Sequence, residues 1–160
     1  MRDIAVPHAI ERLLSLPGLP FMARLCLASA FIQSAISKLI DLQGAVDEMQ
    51  HFGLRYPGLF AAAVILTQLG GSALVLTRRH CWLGAGILAV FTAMATLLAH
   101  RFWQFDGADR IHQMTTFFEH LGLVGGFALA ALLVNGGSAS RPAGSWGNII
   151  SNQLNLRRPS

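Results

Sequence analysis

Four long apolar stretches divide the chain, and few charged residues interrupt them. They span residues 21–40, 59–76, 81–99 and 117–134. As α-helices these stretches are roughly 27–30 Å long, which matches the hydrocarbon thickness of a bilayer. They lack alternation of period two and are rich in Ala, Leu and Gly, which disfavours membrane strands. The pattern predicts an all-α fold, an integral membrane bundle of four helices.

A shorter amphipathic segment lies between the first and second stretches. Its apolar residues recur at helical spacing: Leu42, Val46, Met49 and Phe52. Asp41 is placed to cap the start of this segment, and Gly53 is placed to stop it. The pattern predicts a short helix that lies in the membrane interface between the first two spans.

The flanking segments differ in composition from the four apolar stretches. We predict that residues 1–20 form a cytoplasmic N-terminal segment and that residues 21–134 form the transmembrane domain. Residues 135–160 are rich in Gly, Ser, Asn and Pro, which is typical of a disordered tail. We predict that this tail is cytoplasmic.

Composition and charge support a membrane protein and indicate its orientation. The 160 residues are 53% hydrophobic and 12% charged, with a mean hydropathy of +0.50, whereas soluble domains average about 25% charged residues. Lys and Arg outside the predicted spans number seven in the termini and second loop and three in the other two loops. The positive-inside rule then places both termini in the cytoplasm. The net charge of +4 is therefore a topology signal and does not indicate a nucleic-acid partner.

Several ionisable residues lie within or at the ends of the predicted spans. The predicted orientation puts Lys38, His100, Glu119 and His120 at a similar depth, near the outer leaflet. Ionisable groups in such places raise a functional hypothesis by default, because they are costly to bury. We expect these four side chains and Trp103 to line a ligand pocket, which neighbouring aromatic residues would cap.

The same residues also have a purely structural interpretation. Lys38 can extend its ammonium to the lipid headgroups, and Glu119 can pair with a neighbour to fix the bundle. Glu119 shares a helix face with Gly122 and Gly126, a pattern that predicts close contact with another helix. We assign helix-packing roles to three further polar residues: Arg24, Gln33 and Gln68.

Few patterns of established chemistry occur in the sequence. The two cysteines form no CxxC pair, which disfavours an iron–sulfur cluster, and no zinc-spaced cluster predicts a metal site. A haem held by His100 and His120 is an alternative. No Ser-His-Asp order stands out, so we predict a non-catalytic subunit in preference to an enzyme.

Short motifs recur in order along the four stretches. They are Ala23-Arg24-Leu25, Ser37-Lys38-Leu39, Gln68-Leu69-Gly70-Gly71, His100-Arg101-Phe102-Trp103, Phe118-Glu119-His120-Leu121 and Gly125-Gly126. In these motifs the chain resembles the DoxX family of small bacterial four-helix membrane proteins over about residues 20–135. Many members carry a glutamate where this chain has Gln68.

The resemblance implies a function and a location. The family name is associated with membrane subunits of sulfur-compound:quinone oxidoreductases, and some relatives are linked to redox-stress complexes. It suggests an inner-membrane accessory subunit that binds quinone or the subunits of a redox complex. A homo-oligomer is a further possible assembly. A structural scaffold without a ligand and a small proton-coupled transporter are the alternatives.

Overall fold

A computed structural model describes residues 7–139, with side chains as far as residue 134. This part of the chain is helical and contains no strand. Its helices are α1 (His8–Leu14), α2 (Leu19–Ile40), α3 (Leu42–His51), α4 (Pro57–Leu76), α5 (Cys81–Ala99) and α6 (Gly107–Ala139), with a 3₁₀ turn at Phe102–Gln104. Residues 135–139 continue α6, and the rest of the predicted tail lies outside the described residues.

Four helices are long and apolar enough to cross a membrane. The spans are Leu19–Ile40, Pro57–Leu76, Cys81–Gln104 and Gly107–Val134. Large apolar side chains remain exposed on their outer faces, for example Leu66 (71%) and Leu133 (77%). Exposed apolar surface of this extent is typical of an interface with a partner or with lipid. The predicted all-α fold with four candidate membrane spans is confirmed.

The core lies where α2, α5 and α6 meet. Phe31 of α2 packs edge-on to Phe91 of α5 at 6.4 Å between ring centroids. Its ring also lies 5.4 Å from that of Phe127, on α6, which is fully buried. Val75 of α4 and Leu88 of α5 complete this cluster. These contacts hold the four spans together on one side of the bundle.

Glycine permits a close helix crossing between α4 and α5. A Cβ atom placed on Gly84 would lie 2.6 Å from both the carbonyl oxygen of Gly71 and the amide nitrogen of Val75. A Cβ atom on Gly71 would in turn lie 2.7 Å from a methyl group of Leu88. Small residues let the two backbones approach each other, as in other membrane helix pairs.

Helix α3 has the boundaries that its sequence predicts. The Asp41 carboxylate accepts a hydrogen bond from the Gly44 amide at 2.8 Å, which caps the helix start. After its end, Gly53 adopts a positive φ of 73°, and the Leu54 amide donates to the Met49 carbonyl at 3.2 Å, as in a glycine-terminated helix. Met49 of α3 packs against Ala61 of α4, so α3 lies along that span.

Helix α6 begins earlier than its apolar stretch. The stretch begins at Phe117, but the helix begins at Gly107, where φ is +58°. The residues between these two positions are helical but polar enough to lie outside the hydrocarbon. Asp109 in the first turn favours a helix start there. Hydropathy locates the part of a helix within lipid and does not locate its end.

Candidate ligand-binding site

A cavity of about 840 Å³ lies between the helices, with walls from α2, α3, α4, α5 and α6. We call it the bundle cavity. Its walls are mostly apolar, with Phe31, Phe60, Phe91, Leu98 and Leu123 among the lining residues. Its polar lining side chains are Ser34, Lys38, Glu48, Thr67, Gln68, Thr92, His100 and His120. A volume of this size is typical of small-molecule sites.

Two histidines lie side by side at one part of this wall. His100 directly follows α5 and His120 lies on α6, and their rings are 5.0 Å apart between centroids at an interplanar angle of 69°. Both residues were predicted from the sequence as ligand-binding residues, and both line the bundle cavity. The contact brings two imidazoles, each able to donate or accept, to the same apolar cavity.

Each of these imidazoles is oriented by a hydrogen bond through Nδ1. His120 Nδ1 lies 2.8 Å from the Thr96 hydroxyl oxygen, and that hydroxyl donates its own proton to the Thr92 carbonyl at 2.6 Å. The Thr96 oxygen therefore accepts from His120 Nδ1–H. His100 Nδ1 donates to the side-chain oxygen of Gln113 at 2.7 Å, since an amide oxygen can only accept.

Lys38 reaches the cavity but is already paired. Its Nζ lies 2.6 Å from a carboxylate oxygen of Glu48 on α3. The Lys38 side chain is 16% exposed and that of Glu48 is 42% exposed, so the pair lies at the edge of the protein. It connects α2 to α3 and makes the local charge neutral. Met49 and Phe52, from the same part of the chain, also line the cavity.

Gln68 occupies the cavity wall on α4 with one free atom. Its side chain is 6% exposed, and its Nε2 donates to the Ser34 hydroxyl at 3.1 Å. Its Oε1 is buried and has no hydrogen-bond partner among the described residues. We predicted a packing role for this residue, and the Ser34 bond does connect α2 to α4. The unpaired oxygen is a buried, unsatisfied acceptor on a residue that lines the cavity.

Two of the five predicted ligand-binding residues lie elsewhere. Glu119 is exposed on α6 and does not line the cavity. An added Cβ on Gly122 has no atom within 4 Å, but one on Gly126 would lie 3.0 Å from a methyl group of Leu27. The expected close helix contact is therefore found at Gly126, against α2, and not at Gly122. Adjacent residues on a helix point about 100° apart, and His120 takes the inward direction.

Trp103 is 54% exposed and belongs to a separate aromatic cluster. Its ring lies 5.2 Å from that of Phe102 and 6.3 Å from that of Phe117. Phe118 completes this cluster, and none of its four members lines the bundle cavity. The expected aromatic residues therefore do not cap the cavity, and the aromatic residues that line it are Phe31, Phe52, Phe60 and Phe91.

Two other predicted packing residues make local contacts. Gln33 is exposed and donates to Ser37 one turn later on α2, at 3.0 Å. Arg24 donates from Nε to the Pro20 carbonyl at 3.0 Å, and its Nη1 is buried with no hydrogen-bond partner among the described residues. Neither residue connects two helices through a hydrogen bond in the described part of the chain.

The histidine pair does not have the geometry of axial haem ligands. Two imidazoles on opposite faces of an iron would have centroids about 6 Å apart, because each metal–nitrogen bond is about 2 Å long. The observed separation is 5.0 Å, with the rings tilted by 69°. Within the described residues, no group of three or more His, Cys, Asp or Glu side chains is arranged to hold a metal ion.

Comparison with protein families identifies the chain. The DoxX family model matches residues 19–101, which is more than half of the sequence. This chain belongs to the DoxX family. No curated protein and no solved structure matched it.

The matched region of this DoxX protein contains much of the bundle cavity. It runs from the start of α2 to the residue after His100, and so includes Lys38, Glu48 and Gln68. His120 and Gln113 lie beyond it on α6. The family assignment therefore covers three of the four spans, and the contribution of α6 to the site is established by the contacts described above.

Sequence reasoning missed the partners of the candidate residues. Glu48 and Gln113 were not among the predicted site residues. Thr92, Thr96 and His100 recur at spacings of four residues, which is the spacing of one helix face. Only the packing of α6 against α5 shows that Thr96 meets His120.

Proposed function

We propose that this DoxX protein binds a quinone-class redox lipid in the bundle cavity, as an accessory subunit of a membrane redox system. The observation that carries the proposal is an apolar cavity of about 840 Å³ with two adjacent imidazoles on its wall. Quinone-class lipids combine a polar ring with an apolar chain. Sites for such molecules are apolar clefts with a few well-placed polar groups.

The positions of the polar groups suit an amphipathic ligand. Lys38 is near the end of α2, and His100 follows the end of α5, so the two lie toward the same end of the bundle. Phe31, Phe91 and Leu123 offer apolar contacts along the remaining wall. We place the headgroup at the histidines and the isoprenoid chain along these apolar residues, with access from lipid.

We also propose an orientation in the bacterial inner membrane. Arg78 and Arg79 lie between α4 and α5, whereas acidic residues accompany the basic ones in the other two loops. By the positive-inside rule, the Arg78–Arg79 turn and both termini are then cytoplasmic. Lys38 and His100 lie at the opposite ends of their helices, so the headgroup site faces the outer leaflet, with α3 in the outer interface.

A cavity-filling substitution tests the binding proposal. Ala95 lines the cavity on α5, whereas Ala93 on the same helix is exposed and does not. We expect saturable binding of decylubiquinone to the protein in nanodiscs, above the background of empty nanodiscs. Ala95→Phe should abolish that binding by occupying the headgroup space, and Ala93→Phe should retain it.

Two results would overturn the proposal. One is the absence of saturable binding in the unmodified protein. The other is equal binding by Ala95→Phe and the unmodified protein, which would show that the ligand binds outside the cavity. Either result, with a normal melting temperature, would favour the scaffold interpretation, in which the polar groups only fix the helix packing.

The subunit role has its own test. We expect the tagged protein, extracted gently from native membranes, to co-purify with an activity that reduces decylubiquinone. Washing that separates the complex should leave this activity with the partner, because we assign binding and not catalysis to this chain. Recovery of the protein alone, without any such activity, would contradict the accessory role.

A further inference from the structure

We propose that the bundle cavity prefers a ligand that donates hydrogen bonds, which among quinone-class lipids is the reduced quinol. This inference rests on the proposed function and specifies which redox form is held. A quinol carries two hydroxyl donors, whereas the oxidised dione carries two carbonyl acceptors. The preference follows from the kind of polar atom that the protein leaves unpaired on the cavity wall.

The two histidines leave acceptors unpaired. Thr96 accepts from His120 Nδ1–H, because its own proton is donated to the Thr92 carbonyl. The oxygen of Gln113 accepts from His100 Nδ1–H. In a neutral imidazole with the proton on Nδ1, the other nitrogen, Nε2, is an acceptor. Neither Nε2 atom has a hydrogen-bond partner among the described residues.

The two rings lie close together on the cavity wall. Their centroids are 5.0 Å apart, and the groups that contact their Nδ1 atoms are the Thr96 hydroxyl and the Gln113 side-chain oxygen. As neutral imidazoles with the proton on Nδ1, the two rings present their Nε2 lone pairs side by side.

Gln68 adds a third acceptor, on a different helix. Its amide group donates to Ser34, and its buried Oε1 has no partner in the described part of the chain. A buried acceptor without a donor is unfavourable. A rotation of the amide that brought Oε1 to the cavity surface would let a ligand hydroxyl satisfy it. Because both Gln68 and the histidines line one cavity, a molecule with donors at two positions matches them better than a dione.

The other polar wall groups do not reverse this preference. Lys38 is a donor, but Glu48 beside it is an acceptor, so the ion pair offers both kinds of contact. The hydroxyls of Ser34 and Thr67 rotate and can either donate or accept. The discrimination therefore rests on His100, His120 and Gln68.

Binding of matched oxidised and reduced ligands tests the inference. We expect anaerobic decylubiquinol to bind the protein in nanodiscs about tenfold more tightly than decylubiquinone, as one or two unsatisfied hydrogen bonds would give. A tenfold preference would raise the midpoint potential of the bound two-electron couple by about 30 mV. Equal affinities, or tighter binding of the dione, would overturn the preference while leaving the proposed function intact.

Two substitutions identify the atoms responsible. Gln68→Leu removes the unpaired oxygen at similar volume, and His120→Phe removes one Nε2 acceptor. Each should lower the ratio of quinol to quinone affinity toward one. Gln33→Leu and His112→Phe are the controls, because neither residue lines the cavity, and both should keep the ratio.

The possible failures are distinguishable. Loss of folding in His120→Phe would appear as a lower melting temperature. In that case the affinity ratio of Gln68→Leu tests the inference. An unchanged ratio in a folded Gln68→Leu variant would overturn the assignment of this oxygen. If neither ligand binds the unmodified protein, the proposed function and this inference fail together.

Discussion

Thr96 orients His120 through one hydroxyl group. The side chain is 5% exposed, donates to Thr92 at 2.6 Å and lies 2.8 Å from His120 Nδ1. A threonine within a helix commonly donates to the carbonyl one turn earlier, and here that bond leaves its oxygen free to accept. This arrangement favours the form of His120 that carries its proton on Nδ1.

Replacement of this hydroxyl by a methyl group tests the orientation. In Thr96→Val we expect His120 to lose its fixed Nδ1–H form, because the acceptor is gone. Nitrogen NMR of histidine-labelled protein should then show a mixture of the two neutral tautomers. The lost buried hydrogen bond should lower the free energy of unfolding by about 1 kcal/mol.

Thr115→Val is the matched control for this experiment. Thr115 is exposed on α6, and its hydroxyl donates to the Ile111 carbonyl at 3.0 Å, so it touches neither histidine. Its substitution should leave the histidine spectrum unchanged. If Thr96→Val also keeps a single His120 tautomer, the proposed hydrogen bond does not determine the ring's protonation.

At the scale of elements, the crossing of α4 and α5 depends on Gly84. In most helix interiors, Gly→Ala stabilises by about 0.5–1 kcal/mol. At Gly84 the added methyl would lie 2.6 Å from two backbone atoms of α4, and overpacking of this kind costs about 1–3 kcal/mol. The clash is the larger effect, so we expect Gly84→Ala to lower the melting temperature in detergent.

The same helix supplies a control for this prediction. An added Cβ on Gly86 has no atom within 4 Å. Gly86→Ala should therefore leave the melting temperature unchanged or raise it. A Gly84→Ala protein at least as stable as Gly86→Ala would show that α4 and α5 separate easily to admit a methyl group.

The attachment of α3 to the bundle depends on a second contact between elements. Lys38 and Glu48 form its ion pair with α2, and for partly exposed pairs we expect about 0.2–1 kcal/mol of coupling. Lys38→Glu should weaken the attachment of α3 to α2, because it places two negative charges together. The double variant Lys38→Glu with Glu48→Lys should restore the attachment. Hydrogen exchange of the α3 amides measures the change.

The double variant with exchanged charges distinguishes the effect of the ion pair from other effects of replacing Lys38. If the double variant exchanges as fast as Lys38→Glu alone, the pairing does not hold α3 in place. High salt should also speed exchange in the unmodified protein, because exposed charges are screened. No effect of salt and no rescue together would leave the packing of Met49 on Ala61 as the main attachment.

The sequence predicted these elements better than it predicted their contacts. Apolar length located the four spans, and Asp41 with Gly53 located α3, because both signals are local. From the sequence, Glu119 and His120 were equally plausible pocket residues. Only the packing of α6 against its neighbours determines which of the two side chains faces the cavity. The partners Gln113 and Glu48 are brought to the site by contacts between helices, which hydropathy does not encode.

At the scale of the whole molecule, four spans require both ends of the described chain to lie on the same side of the membrane. The order of the spans also puts Lys38 and His100 at the other end of the bundle from the Arg78–Arg79 turn. The distribution of positive charges among the loops then predicts on which side of the membrane the headgroup site lies. We expect the outer face, so a quinol would enter from the outer leaflet.

Cysteine labelling in intact cells tests this orientation. Cys81 is fully buried, so a Cys26→Ala background leaves no exposed thiol within the described residues. Gln104→Cys, at the last residue of the 3₁₀ turn, should react with a membrane-impermeant maleimide in intact cells. His80→Cys, in the Arg78–Arg79 turn, should react only after the inner membrane is permeabilised. The opposite pattern would place the cavity's histidine end in the cytoplasm, and quinol would then have to reach the site from the inner leaflet.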